Sequence, residues 1–188
     1  MAISQNNLLT HGLKGTVGDL LVFRNRGSQV VVTSKPKERT SEYTAAEKAH
    51  QDAFQQATIY GKSVLAHPEV KAEYASAAKE GQSAYNVAVA DFFYAPDIKE
   101  IDVTAYTGKK GSTIKVNVKD DFKVAKVKVA IFNGDGSSVE EGLAVQDTLN
   151  ENNWLFTATV DNASVEGDRI EIRAYDLPGN ETVKSESL

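Results

Sequence analysis

A chain of 188 residues, 41% hydrophobic and 25% charged, has the length and composition to bury a core without staples. It contains no cysteine, which excludes a disulfide framework and thiolate chemistry. No apolar run approaches the roughly eighteen residues of a spanning helix, and Met1–Leu9 lacks the basic and long apolar segments of a leader peptide. The expectation is a chain with no membrane span and no cleavable signal, either cytoplasmic or exported by a non-classical route.

The net charge of −5 is unevenly spread. Residues 1–40 carry six basic and two acidic side chains, residues 41–96 four and seven, and residues 97–188 eleven and seventeen. The N-terminal cations, Arg24, Arg26, Lys35, Lys37 and Arg39 among them, are few for a nucleic-acid surface, whose affinity grows with each phosphate contacted. A basic front and an acidic back suit complementary surfaces within or between subunits.

The first predicted element is a β-hairpin, Asp19–Arg24 and Gln29–Ser34 around Asn25-Arg26-Gly27-Ser28. With Arg26-Gly27 as a two-residue loop, Phe23 pairs with Val30 and Leu21 with Val32 on one face. Leu20, Val22, Val31 and Thr33 then share the other. Both faces are apolar, and two strands alone are marginal in water. The helices that follow cannot cover both.

Next comes a helical section. Thr44-Ala45-Ala46-Glu47 is a capping box, and Ala46, Ala49, Ala53, Phe54, Ala57 and Val64 follow at helical spacing to about Leu65. Pro68 opens a second helix carrying Val70, Tyr74 and Ala78, with Gly81 as its stop. A third runs from Ser83 to about Phe93, presenting Tyr85, Val89 and Phe92 or Phe93 inward, and Pro96 ends it. The many alanines imply close helix–helix contact rather than a ligand cavity.

From Ile98 the pattern changes to short alternating runs at Ile98–Val103, Thr113–Val118, Val124–Phe132, Trp154–Val160, Asp168–Tyr175 and Glu181–Lys184, separated by Gly- and Asn-rich turns. This is the pattern of an Ig-like antiparallel β-sandwich with Trp154 in its core. The expected fold is therefore α+β and multi-domain. Residues 1–96 form a hairpin-plus-helical domain, and residues 97–188 form the sandwich.

No motif for chemistry emerges. His11, His50 and His67 are scattered without metal-ligand spacing. Gly15-Thr16-Val17-Gly18 leads into a strand, where a phosphate loop must lead into a helix, so these are turn glycines. Asn133, Asp135, Glu140 and Glu141 cluster near one turn, while Asp120, Asp121 and Asp176 occupy neighbouring loops. The EF-hand pattern fails after Asn133, where Ser138 stands at the glycine position and Ala144 at the bidentate-glutamate position. Solvated turn acids are the simpler reading, and no catalytic residue, cofactor or metal ligand is assigned. Tyr106, Phe122 and Tyr175 are candidate aromatics for a sugar-binding platform, against the alternative that each packs in the core or rim.

Leu13-Lys14-Gly15-Thr16-Val17-Gly18-Asp19-Leu20-Leu21-Val22-Phe23-Arg24, the Val30–Pro36 exit, and Thr44–His50 with Phe54–Ala57 together carry a resemblance. Over about residues 8–95 the chain resembles an uncharacterised family of bacterial proteins, common in Bacteroidota, that opens with a G-x-x-G-x-L-V-F hairpin and a helical segment. Ala174-Tyr175-Asp176-Leu177-Pro178-Gly179-Asn180 is similar to the closing A-x-D-x-x-G-N of bacterial Ig-like modules. The resemblance implies a non-enzymatic protein carrying a surface-type β-module, and no activity comes with it.

The uncovered hairpin points to other copies of the chain as partners. Ile3, Leu8, Leu9, Leu21, Phe23, Val30 and Val32 are the expected contacts of a self-assembling subunit of a filament, fibre or particle. The N-terminal arm could add itself to a neighbour's strand edge. The alternative is an adhesive module for a glycan or cell-surface protein.

Overall fold

Dense β-branched residues make strands at 21–34, but the sheet they belong to is larger than a hairpin. The computed structural model describes residues 2–4, 10, 12–26 and 29–188. Strands β1 (Ala2–Ser4), β2 (Gly15–Val17), β3 (Leu21–Arg26) and β4 (Gln29–Ser34) form an antiparallel sheet in the order β1-β4-β3-β2. Arg26 pairs with Gln29 and so belongs to the strand rather than to the expected Arg26-Gly27 loop; residues 27–28 lie outside the described residues. Phe23 therefore opposes Val32, and Leu21 opposes Ser34. Because the correction is two residues, the sharing of faces survives it. Val17, Leu21, Phe23, Val30 and Val32 lie on one face; Ile3, Val22, Val31 and Thr33 lie on the other. Leu20 falls in the turn between β2 and β3 and is 76% exposed.

Helix α1 (Ala45–Ala66) begins at the predicted capping box, with Thr44 and Glu47 each bonding the other's backbone N–H. Arg39 grips both Glu47 carboxylate oxygens at 2.9 and 2.7 Å, and chiefly for that reason the Glu47 carboxyl sits at about 2, well below its ordinary value. Helix α2 (Pro68–Ser76) starts on its proline and stops five residues before Gly81. At its end the Ser76 hydroxyl donates to Glu73 O at 2.6 Å. Helix α3 (Ala84–Asp91) is capped by Ser83. Gly61 lies where α1 meets α3: a Cβ there would stand 2.8 Å from Val89 Cγ2 and 2.9 Å from the Tyr85 ring.

Two further antiparallel sheets stack into a sandwich. One has the order β5-β6-β10-β9, from β5 (Asp97–Asp102), β6 (Thr113–Lys119), β9 (Val145–Gln146) and β10 (Asn153–Thr157). The other has the order β12-β11-β7-β8, from β7 (Val124–Phe132), β8 (Ser138–Leu143), β11 (Arg169–Asp176) and β12 (Glu181–Ser187). Alternating Ile114, Val116 and Val118 meet Val127, Val129 and Ile131, together with Ile170, Ile172 and Trp154, in one core. Strands β8 and β9 are absent from the sequence expectation. The first, Ser-Val-Glu-Glu-Gly-Leu, is an acid-rich edge strand with little β signal of its own.

The helices meet the sandwich at its loop end. Val64, Tyr74, Ala84 and Ala88 form a second core that takes in Phe122, from the β6–β7 loop, and Leu177, from the β11–β12 turn. Lys123 pairs with Glu73 at 2.8 Å, and Asn180 Nδ2 donates to Phe92 O at 3.1 Å across the same contact. No helix among the described residues is long and apolar enough to cross a membrane.

Candidate functional site

Of the expected assembly residues, Leu21, Phe23, Val30 and Val32 share one face of the N-terminal sheet. Ile3 lies on the other face and pairs in cis with Val31, so the arm's first strand sits on its own hairpin. Leu8 and Leu9 lie outside the described residues. Val30 and Val31 are buried on the strand flanked by β1 and β3, yet neither belongs to the helical or the sandwich core. Val17, Ile3 and Leu21 remain 59%, 58% and 41% exposed. A second apolar surface lies on the helices, where Phe54 and Phe93 are stacked at 6.5 Å and both exposed, and His50 stacks on Phe93 at 6.0 Å.

The three platform aromatics do not come together. Tyr106, in the loop between β5 and β6, is a core residue, buried among the sandwich side chains with its hydroxyl bonded to Asn162. Phe122 stacks on Tyr74 at 4.2 Å beneath the helices. Tyr175 lies along the outside of β11, donating to Glu181 at 2.6 Å under the Lys126 ammonium. No shared flat surface remains for a sugar ring. The acids of the β7–β8 turn are likewise separately engaged. Asp135 accepts from Ser137, Glu140 accepts from Thr159, and Glu141 pairs with Lys128.

The chain does gather carboxylates elsewhere. Asp91 at the end of α3, Asp120 after β6 and Asp176 at the end of β11 each place a carboxylate oxygen within 4.8 Å of the others. Each is held by its own element. Asp176 Oδ1 accepts the backbone N–H of Gly179 at 2.7 Å and of Asn180 at 2.6 Å, which caps the Leu177–Asn180 turn, and Asn180 Nδ2 donates to Oδ2. Asp120 Oδ2 accepts from Lys123 N at 2.9 Å and caps the β6–β7 loop. Asp91 Oδ2 accepts from the Tyr74 hydroxyl at 2.5 Å. With its one proton committed there, Tyr74 receives the Tyr60 hydroxyl proton at 2.8 Å, giving a relay Tyr60–Tyr74–Asp91.

Burial governs the electrostatics. It pushes the Asp91 carboxyl up to about 7, helped by the negative charges of Asp120, Asp176 and Asp121 and opposed by the Tyr74 hydrogen bond. Burial also raises Asp120, against the backbone N–H bonds that hold its carboxylate, and raises the Tyr74 and Tyr60 hydroxyls. Asp91 Oδ1 and Asp120 Oδ1 are buried without a hydrogen-bond partner. Sequence reading placed Asp120 and Asp176 in neighbouring loops and passed over Asp91. The available signal was its spacing, since Ala84, Ala88 and Asp91 fall on one helical stripe, a carboxylate on an otherwise apolar face.

No protein-family model matches the chain, and no curated protein sequence matches it significantly. Among solved structures, CopC from Methylosinus trichosporium OB3b is similar with a TM-score of 0.37 at 14% identity, over 49% of this chain and 88% of its own. The catalytic module of SpuA, a multi-modular glycogen-degrading pneumococcal virulence factor, gives a TM-score of 0.31 at 12% identity, over 45% of this chain. This chain spans only 12% of that one. Likenesses this partial assign neither an activity nor a ligand.

Proposed function

We propose that the protein is a non-enzymatic structural subunit that assembles with copies of itself through its N-terminal sheet. In this reading residues 1–96 form the assembling unit, and residues 97–188 form an Ig-like module that projects from it. The observation that carries the reading is the sheet with Leu21, Phe23, Val30 and Val32 on one face and Ile3, Val22 and Val31 on the other, outside both cores. Isolated strands with apolar faces are marginal in water, and the ends of such a sheet are open edges. The exposed Phe54–Phe93 ridge is a second, unlike apolar surface. Two unlike surfaces on one chain allow a head-to-tail contact that closes into a ring or runs on as a filament. The basic first forty residues and the acidic remainder suit the same contact.

The test is light scattering coupled to size exclusion over a range of protein concentrations, with negative-stain microscopy of the same fractions. Concentration-dependent oligomers are expected, dissociated by Leu21→Lys, by Phe54→Lys and by deletion of residues 1–13. A monomer at every concentration, or oligomers indifferent to all three changes, overturns the reading.

A further inference from the structure

We propose that Asp91, Asp120 and Asp176 form a binding site for a hard divalent cation with oxygen ligands, which ties the third helix to the sandwich. Calcium takes oxygens at about 2.3–2.6 Å, so two ligands on one ion stand at most about 5 Å apart. Three carboxylate oxygens from three separate segments lie within 4.8 Å of one another.

The second observation is the state of those oxygens. Asp91 is only 2% exposed, and with Oδ2 held by Tyr74, its Oδ1 is buried and has no partner. Asp120 repeats the arrangement, with Oδ2 on the backbone N–H of Lys123 and Oδ1 unpartnered. Asp176 keeps a lone pair on Oδ2 beyond the one taken by Asn180. Asp91 and Asp120 are thus each oriented by one oxygen and offer the other, the division of labour that outer hydrogen bonds impose on metal ligands. Unpaired carboxylates this buried are costly unless a positive charge compensates them. The charges acting on Asp91 are Asp120, Asp176 and Asp121, all of one sign. A cleft of about 230 Å³ lined by Tyr94, Asp97, Lys99, Lys119, Asp120 and Asp121 reaches the cluster at Asp120. It offers room for waters that complete six to eight oxygens. This site is independent of the assembly reading, and neither stands on the other.

The test is thermal unfolding of the full chain after treatment with chelator and dialysis, titrated with CaCl₂ and, separately, MgCl₂, up to 10 mM. Calcium at about a hundred times its dissociation constant is expected to raise Tm by roughly 5–10 °C for a chain of this length. Terbium emission sensitised by the neighbouring tyrosines should saturate and be displaced by calcium. Asp91→Asn and Asp120→Asn should each weaken binding at least tenfold, while Asp52→Asn, an exposed change on α1, should leave it intact. If Asp91→Asn does not fold, Asp120→Asn, on a loop, decides the matter. The absence of a saturable shift with either calcium or magnesium, or an equal shift in the Asp120→Asn variant, overturns the assignment.

Discussion

Replacing Tyr74 by phenylalanine removes one oxygen and leaves a ring that still stacks on Phe122 at 4.2 Å. That oxygen is the donor to Asp91 Oδ2 and the acceptor for Tyr60, and Tyr74 is fully buried. A hydrogen bond to a charged group contributes about 1.5–3 kcal/mol, and a buried polar atom left unpaired costs a similar amount. The expected loss is therefore about 2–3 kcal/mol, which lowers Tm by roughly 5–10 °C in a chain of this length. The sign of the pH dependence follows from Asp91. Its carboxyl sits at about 7, and the Tyr74 bond favours its ionised form. The penalty should be smaller at pH 5.5, where Asp91 is protonated, and larger at pH 8.5, where a bare carboxylate loses its donor. Urea unfolding in chelator-containing buffer at both pH values, followed by near-ultraviolet circular dichroism, measures it. A change below about 0.5 kcal/mol at both pH values, or a larger cost at the lower one, refutes the relay.

Gly61→Ala sets the roughly 1 kcal/mol helix preference of alanine against an overpacked contact with Tyr85 and Val89, which costs about 1–3 kcal/mol. A net loss of stability in chemical denaturation is expected, and a gain would mean that α1 and α3 can move apart freely. Thr44→Ala removes the cap of α1 and should cost about 1 kcal/mol, seen as earlier loss of helical circular dichroism. Glu171 lies between Arg169 and Arg173, whose hydrogen bonds hold its carboxyl below the ordinary 4.5. Its contribution is present above pH 4.5 and is lost as the pH falls through the folded value. Acid unfolding of Glu171→Gln should accordingly be flatter below pH 4.5 than that of the parent chain.

Local rules are strong where one element carries its own signal. Thr44-Ala45-Ala46-Glu47 forms its capping box with groups three residues apart, and Pro68 starts α2 without help from anything distant. The alternation of Ile114, Val116 and Val118 is likewise visible before any packing is known. Local rules fail where neighbours decide. Strand β8 is acidic and glycine-containing, and becomes a strand because β7 offers it an edge, with Lys128 paired diagonally to Glu141. Tyr106 reads equally well as platform or core until the sandwich closes over it.

The helical section, most of the sandwich strands and the two apolar faces of the segment around Leu21–Val32 are all legible in the chain's own residues. Those properties are periodicities within short stretches, set by backbone geometry and side-chain type. The register of the hairpin, its extension by β1 and β2, and the meeting of Asp91, Asp120 and Asp176 emerge from long-range contacts instead. Asp91 and Asp176 stand on a helix and a strand from different halves of the chain, and each satisfies local rules on its own: the one ends α3, the other caps a turn. Their meeting depends on how the helices seat on the loops of the sandwich, through Tyr74, Phe122 and Leu177, and no local pattern carries that contact.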